Sequence, residues 1–237
     1  MTAIQNARER ARAELTSEIK QEARRQLAVA GASGLSLRAV ARELGMASSA
    51  LYRYFPSRDE LLTALIVDAY TALGDRVDAA GRSVPPTHFR ARLRAVWHAV
   101  RGWATEHPNE YALVFGSPVP GYDAPEYTIE QGSRVPRALL TLLHEAWVAD
   151  ALGPAASDAV QLSPALVEQT ALIAELAAPG LPGPAVARGS LAWTQLFGLI
   201  SFELFGQLRN SLEPADAIFD YAVGQMIDFL GIAADPG

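Results

Sequence analysis

The chain has 237 residues, of which 50% are hydrophobic and none is cysteine, so it can bury a core but excludes disulfides and cysteine-ligated metal sites. Its net charge is −6, but residues 1–60 carry a net +3 and the rest −9. A basic end on an acidic body is typical of a DNA-binding module, although a solvated helix face would give the same charge. The sequence shows neither a signal segment nor a membrane-spanning stretch, so we expect a cytoplasmic protein without a membrane partner.

The spacing of apolar residues predicts helices along the whole chain and no strand. A first helix is expected over about 14–30. Two short helices follow, one after Ser36 that stops at Gly45, and one from about Ser48 that Pro56 breaks. Ser57 and Glu60 then form a capping-box pattern, which opens a long helix that fades near residue 81.

After a linker at 82–87, the same periodicity predicts six further helices. They are expected near 88–106, 108–115, 134–151, 164–178, 185–210 and 215–231. The predicted fold class is therefore all-α. We expect a three-helix DNA-binding domain of the helix-turn-helix type over 1–60, and a helical regulatory and dimerisation domain over 61–237.

The segment 37–55 has the spacing of a helix-turn-helix unit. Ala41 is small enough for two short helices to cross closely, and Gly45 can adopt the left-handed conformation that the turn needs. Leu51 can then point back into the core while its helix enters the major groove of DNA. An ordinary helix hairpin with core aromatics would share this spacing.

The helix-turn-helix interpretation assigns candidate DNA contacts. The hydroxyls of Ser48 and Ser49 can reach bases or phosphates, Ala50 can meet a thymine methyl group, and Arg53 can reach a base. Contacts to phosphates are expected from Ser36, Arg38, Tyr52, Tyr54 and Arg58. Upstream of the first helix, three basic residues form either a minor-groove arm or a frayed terminus: Arg8, Arg10 and Arg12.

Three runs carry a family resemblance: Gly34-Leu-Ser-Leu-Arg-Ala-Val-Ala, Leu44-Gly-Met and Leu51-Tyr-Arg-Tyr-Phe-Pro-Ser-Arg-Asp-Glu-Leu-Leu. Over roughly residues 17–66 the sequence resembles the TetR family of bacterial transcriptional regulators. The resemblance implies an all-helical homodimer whose fourth helix, from Ser57, links a DNA reader to a sensor. It further implies a repressor that binds a palindromic operator in double-stranded DNA and is released by a small-molecule effector.

The remainder of the chain is rich in aromatic residues, which suit a pocket for an apolar or aromatic ligand and equally suit a helical core. The candidates are Trp97, Trp103, Tyr111, Phe115, Tyr122, Trp147, Trp193 and Phe197. The segment 107–122 and the block Trp193-Thr-Gln-Leu-Phe-Gly resemble a TetR subgroup whose block often has His at the position of Phe197. Glu203 lies in an apolar helix, where it would bind a ligand, pair with Arg188 or Arg209, or face water.

The helices expected at 185–210 and 215–231 carry wide apolar stripes, which predict either half of a four-helix dimer face or an intramolecular core. The histidines lack metal-binding spacing, and no nucleophile elbow or phosphate-binding loop is found. We therefore expect no cofactor, no metal and no enzyme activity. The alternatives are a helical protein-interaction adaptor and a small ligand-binding enzyme.

Overall fold

The computed structural model describes residues 3–154 and 161–236, and their regular structure is helical. A single isolated bridge, between Leu152 and Ile232, is the one piece of β-type pairing in this part of the chain. The α-helices in chain order are α1 (Ala3–Ala30), α2 (Leu37–Glu43), α3 (Ser48–Leu51), α4 (Arg58–Arg82), α5 (Phe89–Glu106), α6 (Pro108–Phe115), α7 (Thr128–Gly132), α8 (Arg134–Val148), α9 (Pro164–Ala177), α10 (Gly183–Leu204) and α11 (Asp216–Leu230).

The all-α prediction is confirmed, and most predicted helices lie within a few residues of their expected positions. The largest difference is at the N-terminus, where α1 begins at Ala3 and not near residue 14. Residues 3–13 contain good helix formers and neither Gly nor Pro, so nothing local stops the helix. Arg8, Arg10 and Arg12 therefore lie in a helix and not in a frayed terminus, whereas their contact with the minor groove stays a prediction.

The end of α10 also differs from the prediction, because the helix stops at Leu204. Gly206 has φ +82° there. The amide of Gln207 donates to the carbonyl of Phe202 at 2.9 Å, the bond expected where a glycine closes a helix. Gly206, which falls inside the helix predicted over 185–210, thus lies just after the C-cap residue Phe205 and closes the helix.

The described residues form two compact units. The first comprises 1–71 with 107–131, and the second comprises 72–106 with 132–237, so that α4 contributes residues to both. The segment around α6 thus packs with the N-terminal helices, although it is distant from them in sequence. The functional boundary between residues 60 and 61 stays a prediction.

The core of the first unit is built from α1, α2, α3 and the start of α4. The side chains of Ala41 and Leu51 are buried there, as the helix-turn-helix spacing predicts. At the start of α4 the amide of Glu60 donates to Ser57 Oγ at 3.1 Å, which is one half of the predicted capping box. The core members are Ile19, Ala23, Leu27, Leu35, Leu37, Val40, Ala41, Leu51, Phe55, Leu61, Leu62, Leu65 and Ile66.

In the second unit, α10 packs against α8, α9 and α11, and α5 packs against α8, α10 and α11. Gly189 allows α10 to approach α8 closely, because a Cβ atom there would lie 2.9 Å from Leu143 Cδ1. The inner sides of α10 and α11 are buried through Leu196, Ile200, Phe219 and Val223. The predicted intramolecular core therefore accounts for one side of each of these helices.

Candidate nucleic-acid interface

The turn of the helix-turn-helix unit depends on Gly45, which has φ +64°. Its amide donates to the Arg42 carbonyl at 3.1 Å, and the amide of Met46 donates to the Ala41 carbonyl at 2.8 Å. This pair of bonds is the Schellman arrangement, which satisfies the last carbonyls of α2 and favours glycine at the left-handed position. The turn ends α2 and sets the direction in which α3 begins.

The α-helical part of α3 is a single turn, and turn-type hydrogen bonds continue it as far as Phe55. Leu51 and Phe55 are buried and anchor this segment to the core. The opposite side of the segment is solvent-accessible, with Ser48 and Ser49 exposed and Ala50 half-buried. These three residues begin the helix, where the helix-turn-helix geometry puts contacts to base edges.

The basic residues of the first unit fall into two groups. Those with an acidic partner within 4 Å are Lys20, Arg24, Arg25, Arg42 and Arg58. In the described part of the chain, no acidic side chain pairs with Arg8, Arg10, Arg12, Arg38 or Arg53. A cation without an acidic partner keeps its full charge for an external anion, so we expect phosphate contacts from this second group before the first.

Two predicted contact residues are engaged within the protein. Ser36 Oγ accepts a long hydrogen bond of 3.4 Å from the amide of Ala39 and so caps α2. The Arg58 guanidinium donates through Nη2 to the carbonyl of Ala32 at 2.8 Å and pairs through Nη1 with Asp59. Arg58 thereby ties the start of α4 to the turn after α1, and the DNA contacts of both residues stay predictions.

The two tyrosines that follow α3 have different surroundings. Tyr52 is 41% exposed, so the core-aromatic alternative does not describe it. Tyr54 is partly buried against the first unit's core, and the Arg12 guanidinium lies over its ring. Tyr52 is therefore available to a phosphate, whereas Tyr54 also has a packing role.

The structure separates the aromatic residues proposed for a ligand pocket. Tyr111, Phe115 and Tyr122 belong to the first unit, and the others belong to the second. The Tyr122 hydroxyl lies 2.8 Å from Thr63 Oγ1, and burial raises the pKa of this tyrosine. Within the first unit, the Tyr111 and Phe115 rings are 5.2 Å apart. Tyr122 thus packs against α4 and the core of the first unit, and Phe115 contacts Tyr70 of α4 with ring centres 5.9 Å apart.

The aromatic candidates of the second unit differ in their exposure to solvent. Trp97 and Trp103 are buried, whereas Trp147 is 45% exposed. Trp193 and Phe197 contact each other with ring centres 6.0 Å apart. Among the described residues no acceptor lies within reach of the buried Trp193 indole N–H. A role for any of these residues in ligand binding stays a prediction.

Glu203 is held in an ion pair that the sequence did not reveal. Its two oxygens accept from Arg101 at 2.7 and 2.8 Å, and Arg101 also donates to Asp216 at 2.9 Å. These bonds raise the pKa of Arg101 and lower the pKa of Asp216. The ion-pair alternative thus describes Glu203, with an arginine 102 residues away instead of Arg188 or Arg209.

The predictions from sequence do not include a cleft in the second unit that four arginines line: Arg82, Arg92, Arg134 and Arg137. None of the predicted ligand residues lines it. A signal was present in the spacing of Arg134, Arg137 and Thr141, which places these side chains on one face of α8.

Comparison with known proteins agrees with this architecture. A family model described as "Bacterial regulatory proteins, tetR family" matches residues 19–65, and one described as "Tetracyclin repressor-like, C-terminal domain" matches residues 93–226. The HTH-type transcriptional regulator Rv1816 of Mycobacterium tuberculosis is 41% identical over 217 residues, which cover 89% of each chain.

Solved structures share the fold. The regulatory protein SCO4313, as its crystal structure describes it, has 34% sequence identity with this chain. The two structures match with a TM-score of 0.76 over 93% of this chain and 98% of that one. A protein of unknown function from Rhodococcus sp. RHA1 matches with a TM-score of 0.69 at 24% identity, over 92% of this chain and 95% of that one. Within the described ranges, no helix has the length and apolar character needed to cross a membrane. The chain therefore belongs to the TetR family of bacterial DNA-binding transcriptional regulators.

Proposed function

We propose that the protein is a homodimeric repressor that occludes a palindromic operator in the cytoplasm and leaves it when a small-molecule effector binds. The observation that carries the DNA-binding part is the exposed start of α3, with Ser48 and Ser49 open to solvent and Arg53 without an acidic partner in the described residues. An adaptor or an enzyme would not need this combination at a helix-turn-helix turn.

The proposed contacts divide by chemistry. Ser48, Ser49 and Ala50 face base edges in the major groove, and Arg53 reaches a base or an adjacent phosphate. The phosphate contacts come first from the exposed Arg38 and Tyr52. Weaker contributions come from the internally engaged Ser36, Tyr54 and Arg58. Contacts to phosphates position the protein without selecting a sequence.

The outer sides of α10 and α11 support the dimer. Phe202 is 56% exposed and Tyr221 64%, although both lie on apolar helices. Cβ atoms built on Gly198 and Gly224 would meet nothing within 4 Å, so another helix could approach these positions closely. Large exposed aromatics and open glycines on two neighbouring helices are suited to a two-fold symmetric four-helix interface.

Operator release requires that the effector bind the DNA-free form better. Two readers of a dimer must lie about 34–36 Å apart to enter successive major grooves. Because α4 contributes residues to both compact units, a ligand that moves its second half could change that spacing. Coupling of about 1–3 kcal/mol would change operator affinity roughly 5–150-fold.

A capture experiment tests the DNA-binding proposal. Genomic fragments are passed over the immobilised protein at moderate salt with competitor DNA, and the retained fragments are sequenced. We expect enrichment of an inverted repeat by the wild type and weaker retention by Arg53→Gln. Arg94→Gln, which removes an exposed arginine of the second unit, is the matched control. Retention no better than the competitor background would eliminate the repressor function.

A further inference from the structure

The arginine-lined cleft of the second unit has the size of a small-molecule site. Its walls are the last turns of α4, the segment that follows α4, and the helices α5 and α8. Its volume is about 560 Å³. Sites for drug-sized ligands typically measure about 300–1,000 Å³. Its apolar lining comes from Val77, Val84, Pro86, Val96, Ala138 and Leu142. Such a surface is suited to an apolar body.

The polar lining of the cleft is strongly basic. Four of the ten arginines of the second unit line it, together with a single carboxylate, that of Asp78. This concentration is unusual because the same unit carries 14 acidic residues against those ten arginines. The local sign of charge is therefore opposite to that of the unit as a whole, which favours an anionic ligand at this place.

One of these arginines is fixed by its surroundings. The Nη2 atom of Arg134 lies 2.9 Å from Asp75 Oδ1 and 2.5 Å from Asp78 Oδ2. The guanidinium lies against the backbone of α4 at Gly74, where a Cβ atom would be 2.6 Å from Arg134 Cζ. Arg134 is thus part of the wall, held in place before any ligand arrives.

Two other arginines can still form ion pairs or hydrogen bonds with a ligand. Arg82, at the end of α4, is exposed and pairs with no acidic side chain in the described part of the chain. Arg92 binds Glu145 and the carbonyl of Pro86 through Nη1, but its buried Nε–H has no acceptor among the same residues. An incoming carboxylate would give Arg82 a charge-assisted partner, which is among the stronger hydrogen bonds in proteins.

We propose that this cleft binds a monocarboxylate that carries an apolar body. The carboxylate lies at Arg82, and the body lies on Val77, Val96 and Leu142. A doubly charged phosphate head fits less well, because Arg134 and Arg92 are already paired with acidic side chains, which leaves less unbalanced positive charge for a second negative charge. The regulatory consequence, release of DNA, rests on the ligand response proposed above, whereas binding itself does not.

Calorimetric titration of the full-length protein tests the site, with decanoate, decanol, acetate and decyl phosphate as probes. We expect decanoate to bind more tightly than the other three. Arg82→Gln should weaken decanoate binding by about tenfold or more, the effect of losing a hydrogen bond to a charged group. Arg94→Gln, an equal loss of charge outside the cleft, should leave it unchanged.

A second variant tests the apolar part of the cleft. Ala138→Phe should fill the space beside Leu142 and abolish decanoate binding, while circular dichroism shows a folded protein. Decanol or decyl phosphate binding as tightly as decanoate would overturn the assignment of a monocarboxylate. Equal affinities of Arg82→Gln and Arg94→Gln, or undiminished binding by a folded Ala138→Phe, would overturn the site.

Adding decanoate to the DNA-bound protein separates the two proposals. Release of DNA by the wild type but not by Arg82→Gln would support both. If decanoate binds at the cleft and DNA stays bound, the ligand site stands and regulation through it fails. If decanoate does not bind while the inverted repeat is still captured, the cleft inference fails and the DNA-binding function stands.

Discussion

The guanidinium of Arg12 lies 5.5 Å from the centre of the Tyr54 ring, so the first turns of α1 contact the segment that follows α3. The contact joins the early part of α1, which the sequence did not predict to be helical, to Tyr54, which is proposed to contact DNA phosphates. Arg12 has no acidic partner in the described residues, so its charge is available to a phosphate. We therefore expect Arg12 to combine a packing role with a contact to the DNA backbone.

This contact can be measured by a double-mutant cycle. Urea unfolding of Arg12→Gln, Tyr54→Leu and the double variant should give a coupling free energy of about 0.5–1 kcal/mol, the usual value for an exposed cation–π pair. The same cycle with Arg8 in place of Arg12 is the control. Strictly additive effects for Arg12 and Tyr54 would mean that the contact contributes no stability.

The Arg101–Glu203 pair is expected to stabilise the second unit. Both side chains are mostly buried, so Glu203→Gln leaves the Arg101 guanidinium with a weaker acceptor. The free energy of unfolding should fall by about 1–3 kcal/mol, as for a hydrogen bond to a charged group. Glu168→Gln, an exposed change on α9, should have little effect. Equal urea midpoints for the two variants would contradict a stabilising role.

The ion pair of Arg101 with Asp216 should make the free energy of unfolding depend on pH. The pKa of Asp216 is lower in the folded protein than in the unfolded chain, because Arg101 donates to the ionised carboxylate. The contribution is thus fully present above the unfolded-state pKa of about 3.9 and is lost as pH falls through the folded-state value.

Asp216→Asn should therefore be less stable than the wild type at neutral pH, and the difference in urea midpoint should shrink below about pH 4. Asp123→Asn, which changes an exposed aspartate of the first unit, is the control and should show no such convergence. A constant difference across the acid range would show that the ionised form of Asp216 is not what stabilises the fold.

Gly45 should be sensitive to substitution for a backbone reason alone. A Cβ atom at this position would meet nothing within 4 Å, so the cost comes from φ +64° and not from a clash. Gly45→Ala should lower the free energy of unfolding by about 1–2 kcal/mol. Gly45→Asn should cost less, because Asn tolerates the left-handed region better. Thermal melts that rank the two variants in the opposite order would contradict this explanation.

The proposed dimer face predicts a change in oligomeric state. Phe202→Glu places a charge on the outer side of α10 and should shift the protein to monomers in light scattering, with loss of operator binding. Leu172→Glu is a matched control, because Leu172 on α9 is also largely exposed, at 58%. A Phe202→Glu protein that remains dimeric would show that the interface lies elsewhere.

The sequence by itself determined the helical class, the helix-turn-helix unit and most helix positions. These features follow from local interactions: the periodicity of apolar residues, the left-handed preference of Gly45 and the break at Pro56. Ala41 and Leu51 could be placed because their roles depend only on the spacing within one short segment. The start of α1 was missed because apolar periodicity is weak there, although helix propensity is high.

Tertiary structure decided which charges are neutralised and which surfaces are joined. Glu203 meets Arg101 only because α5 and α10 pack together, and no local pattern encodes that choice. The same holds for the packing of residues 107–131 in the first unit and for the arginines that share one cleft. Local sequence fixes where a helix begins and ends, but the partner of a side chain depends on how distant helices pack.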